Sequence, residues 1–235
     1  MRTIKKVASH IFIDGFGGMT QGLFATLIIG TMIQQIGLLI GGSTGNVIYL
    51  LGKAAAALTS AGIGVGVAVK YGESPLVTVS AAVAAMVGGY AGKITGGTFF
   101  VDGNAVLAGP GEPLGAFIAA FAGITCGHLV SGKTKVDIIV TPVITIGAGS
   151  VVGLLVGPPI SQMMTGLGSI INWATEQRPF IMGIVVSVVM GMVLTLPISS
   201  AALGIILNLS GLAAGAATIG CCCNMVGFAV ASYRE

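Results

Sequence analysis

NWATEQRPFIMGIVVSVVMGMVLTLPISSAA, residues 172–202, opens with a Trp and a short charged cluster, runs into an uncharged apolar stretch, and then meets Pro197. From Pro179 to Leu196 no side chain carries a charge, and about 18 residues at about 1.5 Å each cover about 27 Å, close to the hydrocarbon thickness of a bilayer. The stretch reads as a membrane helix. Pro197 has no amide hydrogen, so the carbonyl of Val193 loses its intrahelical partner, and Ser199 and Ser200 place two hydroxyls beside the loosened turn. Irregular backbone at membrane depth survives only where protein buries it or a wet cavity lies beside it, and broken helices of this kind build transport sites.

Working outward, hydrophobic residues make up 54% of 235 positions and charged ones 7%, with a mean hydropathy of +1.02. A polytopic membrane protein requires that balance and a soluble domain does not. The expected class is all-α, a single integral-membrane domain over residues 1–235 with about six to eight crossings, broken or re-entrant helices among them. Gly is the second bias, 39 residues; small residues let membrane helices approach closely, and Gly149, Gly153 and Gly157 are the plainest such row. The net charge of +3 comes from few residues and forms no basic patch, which excludes a nucleic-acid surface. Cys126 and the run Cys221, Cys222 and Cys223 lie in apolar segments, so a disulfide framework is not expected. Adjacent helical residues point about 100° apart, so three consecutive Cys do not converge on a metal, and neither a metal nor a cofactor is expected.

Arg2, Lys5 and Lys6 precede the apolar segment Met19–Ile40, and the N-terminus reads as a retained cytoplasmic end with Asp14 as a helix cap. Lys53 interrupts the run Val47–Val69; either that segment begins as an interfacial helix or Lys53 snorkels or lines a cavity. Pro75–Gly92 is the next crossing. Residues 94–113, with Asp102, Asn104 and Glu112, are too polar and Gly-rich to span, and read as a re-entrant or surface hairpin. GESPL (72–76) and GEPL (111–114) each lead an Ala-rich helix, so a hairpin that does not cross makes the two copies an inverted repeat. Val136–Val156 crosses next, with Pro158 and Pro159 expected to end it and Ser161–Ala174 expected as a half-helix. The last apolar segment is Gly211–Ser232. On this threading Arg2, Lys5, Lys6, Lys70, Lys133 and Lys135 share the side of the N-terminus, against Lys93, Arg178 and Arg234. By the positive-inside rule that side is the cytoplasm.

GHLVSGKT (127–134) matches the phosphate-loop pattern letter for letter, but it closes a membrane helix where a phosphate loop follows a strand and opens one. Nucleotide binding is not expected, and no Ser, His, Asp arrangement or paired carboxylates suggest hydrolysis. Trp173 and Glu176 share a helix face, offering one aromatic plane and one carboxylate to a single ligand. That pairing suits a sugar, whose ring face packs on an aromatic and whose hydroxyls donate to a carboxylate. The other reading is an interfacial Trp with Glu176 and Arg178 paired at the surface.

GLFATLIIG (22–30), KTKVDIIVTP (133–142), NWATEQRPFIMG (172–183), PISSAALGI (197–205) and the stretch from Gly211 to Glu235 resemble the membrane IIC component of bacterial phosphotransferase-system sugar transporters. The branch is one whose members are also labelled toxin regulators. The resemblance implies a multi-pass sugar permease of the bacterial cytoplasmic membrane, homodimeric, whose cytoplasmic partner subunits phosphorylate the sugar, so no catalytic chemistry is expected in this chain alone. Family members usually continue past the equivalent of ASYRE, and the chain reads as short at that end. The wider superfamily carries a Gly-Ile-Thr-Glu-Pro signature whose Glu sits at the sugar; Thr175-Glu176 matches its centre, with Pro179 displaced. The expected substrate-binding residues are Asn172, Trp173, Glu176, Arg178, Ser199 and Ser200. Two alternatives stand beside the permease: a membrane regulator or sensor on the same scaffold, and a small-solute channel or facilitator that works without phosphorylation.

Overall fold

A computed structural model describes residues 14–101, 104–107, 109–193, 204, 207 and 209–232. Among the described residues the architecture is all-α apart from one short hairpin. Its helices are α1 (Phe16–Leu23), α2 (Ile29–Ile40), α3 (Gly42–Ala57), α4 (Thr59–Lys70), α5 (Pro75–Gly89), α6 (Ala91–Thr95), α7 (Pro113–Val130), α8 (Asp137–Gln177), α9 (Pro179–Val193) and α10 (Gly211–Ser232). Strands β1 (Phe100–Val101) and β2 (Asn104–Ala105) pair antiparallel.

Among the described residues, four helices are long and apolar enough to cross a bilayer, or five if α3 and α4, bent by 53° at Leu58, form one span. Pro75–Gly89 and Pro179–Met192 are shorter apolar helices. The protein is thus a polytopic all-α membrane protein. The chain divides into two compact units, Met1–Ser161 and Gln162–Glu235.

In the first unit, α1, a π-helical turn (Phe24–Ile28) and α2 make one continuous rod. It folds back at Gly41, whose φ of 66° suits glycine. The rod then runs antiparallel to α3 and α4, and glycines set the contact. A Cβ on Gly18 would stand 2.6 Å from Gly66 O, one on Gly30 2.8 Å from Gly52 O, and one on Gly37 2.7 Å from Gly45 O. Here the Gly excess does what small residues do in membranes, bringing backbones together where hydrophobicity cannot.

The two similar motifs start their helices in the same way. Ser74 Oγ accepts from Val77 N with Pro75 at the first turn, and Glu112 Oε2 accepts from Gly115 N at 2.5 Å with Pro113 in the same place. Both are capped starts in which Pro gives up a donor that would be unpaired anyway. The helices they begin are antiparallel: Ser74 Oγ lies 3.0 Å from Ser131 Oγ at one end, and Glu112 N donates to Gly89 O at 2.7 Å at the other. Gly149, Gly153 and Gly157 of α8 lie on this pair, with the would-be Cβ of Gly153 2.8 Å from Gly88 Cα.

One expectation is corrected. Pro158 and Pro159 do not end their helix, and Ser161–Ala174 is not a separate half-helix, because α8 is assigned from Asp137 to Gln177 with Pro142, Pro158 and Pro159 inside it. Each Pro removes one amide donor, whereas ending the helix there would leave several carbonyls and amides without intrahelical partners, so the helix tolerates them.

In the second unit α9 and α10 pack through Val186, Met190 and Ala217, with Ile171 and Leu209 against them. Ser187 Oγ donates to Ala216 O at 2.7 Å and Asn224 Nδ2 to Gly191 O at 2.6 Å, side-chain bonds that tie the helices together. The expected break at Pro197 lies outside the described residues.

Candidate functional site

The first unit carries its helix interruptions at one level. Leu58 separates α3 from α4, and across the contact Gly62 packs on Thr26 of the π turn while Gly30 packs on Ala56. Leu58 therefore faces the middle of the Phe16–Ile40 rod. About 12 residues of helix at about 1.5 Å each put it about 18 Å from either end of that rod. π turns inside helices recur at functional sites.

At that level the chain gathers polar groups. Ser60, in the first turn of α4, is 0% exposed, and Tyr90, between α5 and α6, is 1% exposed. Ser60 Oγ donates to Pro110 O at 3.0 Å. Tyr90 Oη donates to Gly109 O, with Ala57 O also in reach at 3.3 Å. Gly89 O, at the end of α5, is taken by Glu112 N. Gly89 O, freed where α5 stops, thus takes a donor from the loop, and the loop carbonyls of Gly109 and Pro110 take donors from the two hydroxyls, as backbone buried away from water requires.

One group in this cluster lacks a partner. Glu112 Oε2 caps α7, but Oε1 is buried with no hydrogen-bond partner among the described residues. A buried carboxylate oxygen left bare costs free energy, and a ligand hydroxyl donating to it would recover that cost. Positive φ values at Gly109 and Gly111, 81° and 75°, let the backbone turn tightly into Glu112.

Of the six residues singled out in the sequence, the four described ones, Asn172, Trp173, Glu176 and Arg178, belong to the second unit. Trp173 is 63% exposed. Glu176 and Arg178 are exposed too, and neither makes an ion pair among the described residues. Asn172 Oδ1 accepts from Ser210 N at 3.1 Å, just ahead of α10, which gives it a capping role. Ser199 and Ser200 lie outside the described residues. An open groove of about 540 Å³ between α9 and α10 is walled by apolar side chains such as Phe180, Ile184, Leu212 and Ile219. Its two hydroxyls are committed, Thr175 to Ile171 O and Ser187 to Ala216 O. The groove has little to offer a sugar.

A family model for the phosphotransferase system EIIC component matches residues 13–235. The chain belongs to the EIIC family. No curated protein and no solved structure matches it. Membership makes it a sugar-transporting permease component, multi-pass in the membrane, with cytoplasmic phosphotransferase subunits as partners.

Glu112 is a buried carboxylate that the sequence reading did not single out as a site candidate. The signal was present: Gly109, Glu112 and Pro113 hold the spacing Gly-x-x-Glu-Pro, a fuller match to the superfamily signature than Thr175-Glu176. It was hidden because residues 94–113 read as a polar hairpin, where a Glu needs no explanation.

Proposed function

We propose that this EIIC chain binds its sugar at Glu112, near mid-bilayer, and hands it to cytoplasmic partners for phosphorylation, residues 1–235 working as one integral-membrane domain within a homodimer. The observation that carries this reading is the buried, unpartnered Oε1 where α4, α5 and α7 all begin or end. Discontinuous helices meeting at the midplane are how transporters present polar groups to solutes. Glu112→Gln keeps the shape and removes the charge. Loss of one partner of a buried charged hydrogen bond costs about 2 to 5 kcal/mol, so sugar affinity should fall by well over tenfold. Unchanged affinity retires Glu112.

A second reading keeps the site at Asn172, Trp173, Glu176 and Arg178, with Ser199 and Ser200. What favours it is an indole 63% exposed one turn from an exposed carboxylate. Glu176→Gln separates the two: weakened binding there, with Glu112→Gln silent, favours this segment.

We further propose that the N-terminus and the Lys133–Lys135 loop face the cytoplasm. Their side of the first unit supports this, since Gly15 lies against Tyr71 just beyond Lys70, and Ser74 meets Ser131 just before Lys133. Cysteine probes at residue 5 and residue 134 should resist impermeant reagents in intact cells; ready labelling reverses the orientation. Binding that survives without uptake would favour the sensor alternative, and uptake without phosphorylation the facilitator.

A further inference from the structure

Segment Gly109–Gly111 leads directly into Glu112 and is held from two sides. Ser60 Oγ donates to Pro110 O at 3.0 Å and Tyr90 Oη to Gly109 O. Both hydroxyls come from helix interruptions, Ser60 just after the break at Leu58 and Tyr90 between α5 and α6. The glycines that bound the segment have φ of 81° and 75°, so its two ends turn where other residues would be strained.

Glu112 itself does not depend on these two bonds. Its amide donates to Gly89 O, its Oε2 accepts from Gly115 N, and Pro113 fixes the turn that follows. Freeing Gly109–Gly111 therefore loosens the segment beside the carboxylate and leaves the carboxylate in place. In hydrocarbon a freed segment bares two carbonyls, which is unfavourable unless new donors replace Ser60 and Tyr90. A polyol brings such donors; a solute without hydroxyls does not.

We propose that Ser60 and Tyr90 are positioning residues that strap Gly109–Gly111 beside Glu112, so that their two hydroxyl bonds set how readily a polyhydroxylated ligand reaches Oε1. This rests on the reading of Glu112 as the sugar carboxylate, but it has its own test. Dicyclohexylcarbodiimide adds to a carboxyl group it can reach, the acid proton passing to a carbodiimide nitrogen and the adduct rearranging to an N-acylurea without a leaving group. Its rate of addition to Glu112, followed by peptide mass on the purified full chain, reports access without any sugar.

Ser60→Ala and Tyr90→Phe should each raise that rate roughly fivefold, as expected for removing one net hydrogen bond, and the double variant should exceed either. Tyr90→Phe retains the ring that packs on Phe99 at 5.4 Å. A purely structural role predicts a lower melting temperature with the rate unchanged in both variants, and that result overturns the strap. If one variant does not fold, the other decides. Equilibrium binding of radiolabelled hexoses, hexitols and disaccharides to Glu112→Gln is run alongside. Faster labelling of the strap variants with unaltered sugar affinity in Glu112→Gln keeps the strap and retires the sugar reading. Weakened binding in Glu112→Gln with unaltered labelling does the reverse.

Discussion

Gly72-Glu73-Ser74-Pro75 and Gly111-Glu112-Pro113 open the two antiparallel helices α5 and α7, and so stand at opposite ends of one pair. Their local work is alike: a glycine with φ of 70° or 75°, then a cap, then Pro in the first turn. Their carboxylates differ. Glu73 faces His128, whose Nδ1 is 3.0 Å from Oε1, with the His side chain 71% exposed. Glu112 spends one oxygen on its own helix and keeps the other buried without a hydrogen-bond partner among the described residues. One motif thus serves as a finished helix start whose carboxylate meets an exposed imidazole and as an unfinished one inside the protein, and only the unfinished one has an oxygen left for a ligand.

The sharpest way to break this comparison is to neutralise each carboxylate in turn. Glu112→Gln should weaken sugar binding by well over tenfold, while Glu73→Gln should leave affinity within about twofold, because its carboxylate is already paired near the water-facing end. Equal losses in the two variants would show that helix starts as such, and not the bare oxygen, matter for binding.

The paired glycines come next in size. Ala at either position is strained by the left-handed backbone, roughly 1 to 2 kcal/mol. Gly72 has open space around it, so Gly72→Ala should cost only that. At Gly111 the new Cβ would also crowd Ser60 Oγ and stand 3.1 Å from Gly89 O, so the unfolding free energy of Gly111→Ala should fall by about 1 to 3 kcal/mol more. Indistinguishable melting curves for the two variants would mean that the loop at Gly111 is looser than described.

Much of this contrast was legible in the sequence, and the illegible part has a physical cause. Composition alone requires helices in a bilayer, the GESPL and GEPL motifs mark two helix starts, and the Gly149–Gly157 row marks a packing face that α8 does use. The continuation of α8 through Pro158 and Pro159 was not legible, because proline rules are calibrated in water, where an unwound turn finds new hydrogen bonds. Nor was the break at Leu58, where no Pro or Gly stands. Glu112 looked like loop polarity because its surroundings are set by long-range contacts, Ser60 and Tyr90 on the segment before it and Gly89 on its amide, and no local window contains all of them.

Removing the imidazole at the watery end should have a smaller effect. His128→Gln removes an imidazole that is 71% exposed from the Glu73 carboxylate, and the amide that replaces it still offers a donor, so the cost is about 0 to 1 kcal/mol. The melting temperature should shift only slightly and sugar affinity should not move. A large loss of affinity would place the Glu73 end on the path of the ligand and collapse the distinction drawn between the two ends.

The smallest expected effect tests how wet that end is. Tyr71 follows α4, and its hydroxyl is pushed up to about 12, first by burial and then by the nearby Asp14 carboxylate, both of which disfavour the phenolate. The folded protein therefore holds the phenol proton more tightly than the unfolded chain, whose tyrosine titrates near 10. The sign follows: this contribution to stability is complete below pH of about 10 and is lost as pH rises from about 10 to about 12. Tyrosinate absorbance, taken as the difference between the protein and Tyr71→Phe, should show that late titration. Asp14→Asn should move it only part of the way back, since burial is the larger cause. A Tyr71 that titrates near 10 in the folded protein would mean that water reaches this end more freely than the packing of Tyr71 on Phe121 implies, and the Glu73 end would then contrast still more strongly with Glu112.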